Sequence, residues 1–278
     1  MKKVGFIDYF LDEWHANNYP DMIKNATSGE MIVTHAYGKI DVPGKRDNRS
    51  WCSEMGILYC ETIEQVVEET DYIIVLSPDN PEMHEELCQI PLKSGKPVYV
   101  DKTFAPTKQI ARGLFDLARE YNTPLFSTSA LRFSKEVMEL EKGDIDFIAS
   151  VGPGEIDNYL IHQVEPMVML MDSPATKLMY TGTSRTPCIV IDFENDKRGV
   201  ISVLVGDCNF ALSIRYKDGK VCVIPEATEF FDRFIVNMVE FFKSGKSSVP
   251  GSQTIEIIDI IEKANFAQKR PDTWIDLK

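Results

Sequence analysis

The sequence predicts an α/β protein: a doubly wound parallel sheet in the first half, then an α+β half with an open, mainly antiparallel sheet. Three observations carry this. Short apolar runs alternate with helix-length segments up to about residue 125. Tyr72-Ile73-Ile74-Val75-Leu76 is unbroken and rich in β-branched residues, as in a strand covered on both faces. Beyond the midpoint, extended segments follow one another across hairpin-type turns such as Asn195-Asp196-Lys197 and Asp218-Gly219.

In order, Val4-Gly5-Phe6-Ile7 reads as the first strand and 13–27 as a helix, with Met31-Ile32-Val33-Thr34 as the second strand. The stretch 37–50 is rich in Gly, Pro and charge and reads as an exposed loop. A short helix is expected over 62–69, then the buried strand, then a helix starting at Pro81, where proline suits the first turn. Gly95-Lys96-Pro97 turns the chain into a strand over 97–100, followed by a helix over 107–121 and a strand over 124–127. The boundary is expected near 125, giving domains 1–125 and 126–278, the last helix returning toward the first domain.

In the second half, helices are expected over 133–142 and around His162, with a strand at 146–149. Extended segments follow at 177–181, 188–193, 199–205, 209–216 and 220–224. Two helices, 226–244 and 253–269, close the chain. The first carries Phe230, Phe231, Phe234, Phe241 and Phe242 at helical spacing, which reads as core.

A length of 278 residues suffices for two domains, and 44% hydrophobic with 26% charged residues is ordinary for a globular chain. The net charge of -13 argues against nucleic-acid or anionic-membrane partners, which need basic patches. No apolar run is long enough to cross a bilayer, and acidic residues interrupt the start too early for a signal segment. Six scattered cysteines without a Cys-x-x-Cys pair suggest reduced thiols in a cytoplasmic protein. The four histidines lack ligand spacing, so no metal is expected.

Two segments carry candidate chemistry. The strand at 97–100 delivers Asp101 and Lys102 to the carboxyl end of the sheet, where open α/β sheets bind ligands. A lysine beside a carboxylate there either serves proton transfer or is merely solvated. Asn158, His162 and Glu165 share one helix face, and Pro166 disfavours a straight helix beside them. His162 is then a working acid or base, or is satisfied by Glu165. Arg132 either clamps a substrate or bridges the domains. His84 is expected to pack on the sheet edge or cap its own helix. The first turn, Asp8-Tyr9-Phe10-Leu11-Asp12-Glu13, lacks the glycines that let backbone approach a pyrophosphate, and its carboxylates repel one. The second strand likewise ends in Thr34-His35-Ala36, without an acidic residue for a ribose.

The chain resembles the glucose–fructose oxidoreductase and inositol dehydrogenase family (Gfo/Idh/MocA) over nearly its whole length. Gly95-Lys96-Pro97-Val98-Tyr99-Val100-Asp101-Lys102 is similar to that family's Gly-Lys-x-Val-x-x-Glu-Lys segment, with Thr103 in place of its proline. The loop 77–84, His162 and the ending from Phe241 through Pro250 are similar as well. The resemblance implies an N-terminal Rossmann-like domain and a C-terminal substrate domain whose sheet builds a homodimer or homotetramer. It implies hydride transfer between NAD or NADP and a sugar, polyol or similar small hydroxyl or carbonyl compound. Lys102 and His162 would then be catalytic, and Arg132, Asn158 and Glu165 substrate-binding. Asp8, Phe10, Leu11, His35, Ser77, Asp79, Asp101 and Lys102 would face the cofactor. Departures from the pattern at Asn158, Glu165 and the first turn point to an alternative: a cofactor-free descendant that binds a small molecule without redox turnover.

Overall fold

The five apolar runs expected as strands in the first half form strands, and a short sixth joins them. The computed structural model of the chain describes residues 1–141 and 143–277. They form two compact units, Met1–Thr128 with Ile235–Gly251, and Ser129–Phe234 with the residues from Ser252.

Unit 1 runs β1 (Lys2–Asp8), α1 (Trp14–Ala26), β2 (Met31–Gly38), α2 (Asn48–Met55), β3 (Leu58–Tyr59), α3 (Ile63–Glu69) and β4 (Tyr72–Val75). It continues through α4 (His84–Leu87), β5 (Val98–Val100), α5 (Lys108–Glu120) and β6 (Leu125–Phe126). All pairings are parallel in the order β3-β2-β1-β4-β5-β6, a doubly wound sheet. The order reverses between β1 and β4, which makes their carboxyl ends the switch point. Thr62 and Thr107 cap α3 and α5 by accepting the N–H groups of Gln65 and Ile110. Lys96 shows why the Gly-Lys turn suits this sheet. Gly95 takes φ +72°, and the Lys96 ammonium caps the end of α3 by donating to the carbonyls of Val67 and Thr70.

Helix α2 falls at the end of the stretch expected to be an exposed loop. Asp47 caps it by accepting Ser50 N–H at 2.9 Å, Gly56 ends it in the left-handed region, and Trp51 is fully buried. Polar composition around 37–50 obscured a helix that buries only Asn48, Trp51 and Cys52.

In unit 2 a short 3-10 turn over Ala130–Phe133 precedes α6 (Lys135–Met138), which is far shorter than the helix expected over 133–142; Ser134, extended at ψ 145°, delays its start. Lys142, the end of that expectation, lies outside the described residues. Then come β7 (Ile145–Pro153), α7 (Ile156–Met171), β8 (Ala175–Thr183), β9 (Thr186–Phe193), β10 (Lys197–Leu204), β11 (Ala211–Tyr216) and β12 (Val221–Ile224). Helix α7 continues through Pro166 for another turn and ends at Asp172, in the left-handed region. Next, α8 (Phe230–Ser244) passes from unit 2 into unit 1 at Ile235, and α9 (Gly251–Ala267) and β13 (Trp274–Asp276) end the chain.

The second sheet has the order β12-β11-β7-β10-β9-β8-β13. It is antiparallel except for the β7–β10 pair, which no hairpin turn announces. Its buried face packs with Leu160, Val164 and Met167 of α7 and Ile257, Ile260 and Ala264 of α9 in one core. The phenylalanine stripe of α8 is core, as expected: within unit 1, Phe242 stacks on Tyr72 at 5.0 Å and Phe241 tilts against Phe126 at 5.3 Å. Among the described residues, no helix is long and apolar enough to cross a membrane.

Candidate active-site groups

At the switch point of unit 1, Asp8 ends β1 with its side chain 1% exposed. Its Oδ1 accepts the N–H groups of Tyr9 (2.7 Å) and Ser77 (3.0 Å), and the Ser77 hydroxyl at 3.3 Å. These bonds hold Ser77 at φ +73°, a region that costs a residue with a Cβ about 1 kcal/mol or more. Asp8 Oδ2 is buried with no hydrogen-bond partner among the described residues. Burial, and then the charge of Glu13, push the Asp8 carboxyl well above the usual carboxylate range.

A raised acid works against the fold as pH increases. Below the ordinary value of 3.8 both states carry the proton and nothing is lost. Above it the unfolded chain ionises first, and stability falls by up to about 1.4 kcal/mol per pH unit until the folded group ionises too. Asp8→Asn removes this linkage while keeping the acceptor for Tyr9 and Ser77. Its stability advantage over the wild type, measured as urea midpoints, should therefore grow from pH about 4 to pH about 7. Parallel curves for the two proteins would contradict a raised Asp8.

Beside Asp8, Glu13 caps α1, its carboxylate accepting the N–H groups of His15 (2.7 Å) and Ala16. The same carboxylate meets His15 Nδ1 at 2.9 Å, and His15 Nε2 lies 3.8 Å from Asp101 Oδ2. Burial lowers the His15 pKa, but Asp101 and Glu13 outweigh it and hold the imidazole above its ordinary value. Asp101 sits just past β5, 1% exposed, and accepts the Tyr99 hydroxyl at 2.8 Å. Next to it Lys102 is half-buried and donates from Nζ to the carbonyl of Pro78 at 3.2 Å. Glu13, His15 and Tyr19, whose hydroxyl burial and then Asp101 push well up, were not read from the sequence as a cluster. Glutamate is an uncommon cap, and the contact with Asp101 spans a long stretch of chain.

Several residues expected to face a cofactor are engaged within unit 1. Asp8 and Ser77 are committed to each other, and Leu11 is fully buried with its N–H donating to Asn48 Oδ1 at 2.9 Å. His35 is buried mid-strand, because β2 runs on to Gly38. It pairs at the level of Gly5, three residues short of the strand's carboxyl end, and its charged neighbours are Lys3 and Glu69. Phe10 lies under the Lys45 ammonium at 4.4 Å, and Asp79 is exposed. His84 neither merely packs nor caps its own helix. It is buried with Nε2 at the carbonyl of Leu76 and Nδ1 3.1 Å from that of Phe104, joining the ends of β4 and β5, and burial lowers its pKa.

In unit 2, His162 is half-buried on α7, its Nδ1 2.8 Å from Ser129 Oγ and its ring edge-on to Tyr159 and Phe210. Asn158, one turn earlier, is exposed. Glu165, expected to border His162 and to bind substrate, lies deep on α7. It is 2% exposed and paired at 2.9 Å with Arg132, itself 5% exposed. Arg132 donates its other terminal nitrogen to Gln253, so Arg132, Glu165 and Gln253 form a tie within unit 2. Among the described residues, no group of three or more His, Cys, Asp or Glu is arranged to hold a metal.

A nicotinamide dinucleotide, the cofactor that the resemblance implies, needs free N–H groups at the start of α1 for its diphosphate. Here the N–H groups of His15 and Ala16 are taken by a carboxylate of the chain itself, and no glycine lies between Gly5 and Gly29. The first turn does not fit a diphosphate in that position.

No protein-family model matches the chain, and no curated protein matches it. Solved structures do. A probable dehydrogenase from Thermotoga maritima is 14% identical with a TM-score of 0.82, over 99% of this chain and 98% of that one. The myo-inositol dehydrogenase of Lactobacillus casei, in complex with NAD(H) and myo-inositol, is 14% identical with a TM-score of 0.81, over 100% and 97%. The scyllo-inositol dehydrogenase of the same organism is 13% identical with a TM-score of 0.77, over 99% and 98%. At such identities the likeness establishes the fold. The chain shares the two-sheet architecture of these structures.

Proposed function

We propose that this chain is a member of the Gfo/Idh/MocA family and an oxidoreductase acting on the CH–OH or carbonyl group of a small polyhydroxylated compound. The observation that carries the proposal is Lys102, held half-buried at the carboxyl end of β5 in a doubly wound sheet, beside Asp101. A lysine so placed can give a proton to a substrate oxygen as the ammonium, or take one from a substrate hydroxyl as the neutral amine. His162 on α7, oriented through Nδ1 by Ser129, is the second proton-handling group we assign, and exposed Asn158 one turn away is a hydrogen-bonding partner for substrate hydroxyls. The shared fold with inositol dehydrogenases supports a polyol or sugar as the substrate class. In the same reading unit 1 is the nucleotide domain, unit 2 the substrate domain, and the open face of the second sheet the surface for a homodimer or homotetramer.

A second reading is favoured by Glu13: a descendant that binds a small molecule without redox turnover. Calorimetric titration with NAD+, NADP+ and their reduced forms separates the two. Saturable binding of one form, with its turnover on a polyol panel, is expected from the first. A folded protein that takes up no dinucleotide near millimolar concentration leaves only the second.

A further inference from the structure

We propose that Glu13 is a built-in anion: its carboxylate fills the position at the start of α1 where a sheet of this order holds a nucleotide's diphosphate. Any ligand at the edge of unit 1 is therefore gripped without a phosphate there.

The seat is complete without a ligand. Glu13 is buried, and its two carboxylate oxygens take the N–H groups of His15 and Ala16, which a diphosphate would otherwise draw on. His15 Nδ1 lies 2.9 Å from the same carboxylate, so this ring too is engaged by the internal anion. Asp8 stands behind it as another buried carboxyl.

A second, independent feature closes the turn from outside. The loop 39–48 is fastened across it by Arg46, whose Nη2 and Nε bond Asp12 at 2.6 and 3.2 Å, and by Lys45, whose Nζ donates to the Asp12 carbonyl at 2.9 Å. Arg46 holds the Asp12 carboxyl down at about 2. Asn48 adds the bond to Leu11 N–H and fits because position 38 is glycine, where a Cβ would overlap its amide. Trp51 Nε1 donates to Asn17 on α1 at 2.8 Å. The N–H groups of His15 and Ala16 and the approach to them are thus both used by the chain itself.

The test is amide NMR of the labelled full-length chain titrated with ADP and with inorganic pyrophosphate. In the wild type, the His15 and Ala16 amides should stay in place at millimolar concentrations of either. In Glu13→Ser, which keeps a capping oxygen but removes the charge and most of the side chain, pyrophosphate should move both amides and bind at least about tenfold more tightly. Wild-type shifts at those two amides would overturn the proposal, and so would a folded Glu13→Ser whose amides ignore pyrophosphate. The wild-type arm decides even if the variant does not fold. Turnover that depends on Lys102 while these amides stay silent leaves both this inference and the oxidoreductase reading standing. Silent amides without any turnover remove only the oxidoreductase.

Discussion

Replacing Glu165 with leucine should destabilise the protein by about 3–5 kcal/mol. Arg132 and Glu165 pair at 2.9 Å with side-chain exposures of 6% and 2%, so water does not solvate either charge. Without the carboxylate the guanidinium stays buried against Gln253, a neutral acceptor. The cost is the uncompensated charge and not the strength of the bond. Replacing both residues by apolar ones of similar volume should therefore recover most of the loss. Urea denaturation of the wild type, the two single variants and the double variant gives the comparison as a cycle. Glu165→Leu with an unchanged midpoint would show that water reaches the pair. A double variant as unstable as the worse single one would show that the side chains matter for shape.

That pair also shows where sequence reasoning stopped. Arg132 and Glu165 are 33 positions apart, and nothing local in either segment reveals that they face each other under the surface. Alternation and helical spacing place a residue on a face, but the depth of that face depends on what packs against it. On α7, Asn158, His162 and Glu165 share a stripe as the spacing implies, yet they run from exposed through half-buried to buried. The sheet of unit 1 was legible because Tyr72–Val75 and Val98–Val100 are short apolar runs with clear turns between helices. In the second sheet the β9–β10 and β11–β12 hairpins were legible from Asn195-Asp196 and Asp218-Gly219, which do adopt positive φ at Asn195, Asp196 and Gly219. The parallel β7–β10 pair was not, since it joins strands separated by a helix and two other strands. At the first turn the missing glycines were plain in the sequence, whereas Glu13 as their replacement required the cap geometry.

Lys102→Ala should reduce turnover by about 10²–10⁴-fold, the usual contribution of a positioned proton-transfer group, while the fold survives. Nζ donates to the carbonyl of Pro78 at 3.2 Å, so the structural loss is that of a modest hydrogen bond. Lys102→Arg separates the two tasks an ammonium can perform. A guanidinium keeps the positive charge but does not surrender its proton in a protein. If Lys102 only stabilises charge, arginine should restore much of the activity. If it transfers the proton, the arginine variant should remain nearly as slow as alanine. Rates across a panel of polyols, read together with urea midpoints for each variant, make the distinction. Wild-type rates in a folded Lys102→Ala protein would remove Lys102 from the reaction. His162 is oriented by Ser129 at 2.8 Å, and its own variant, His162→Gln, removes the titrating ring. A loss of kcat in both single variants that fails to multiply in the double variant would mean that the two groups act on one proton-transfer step.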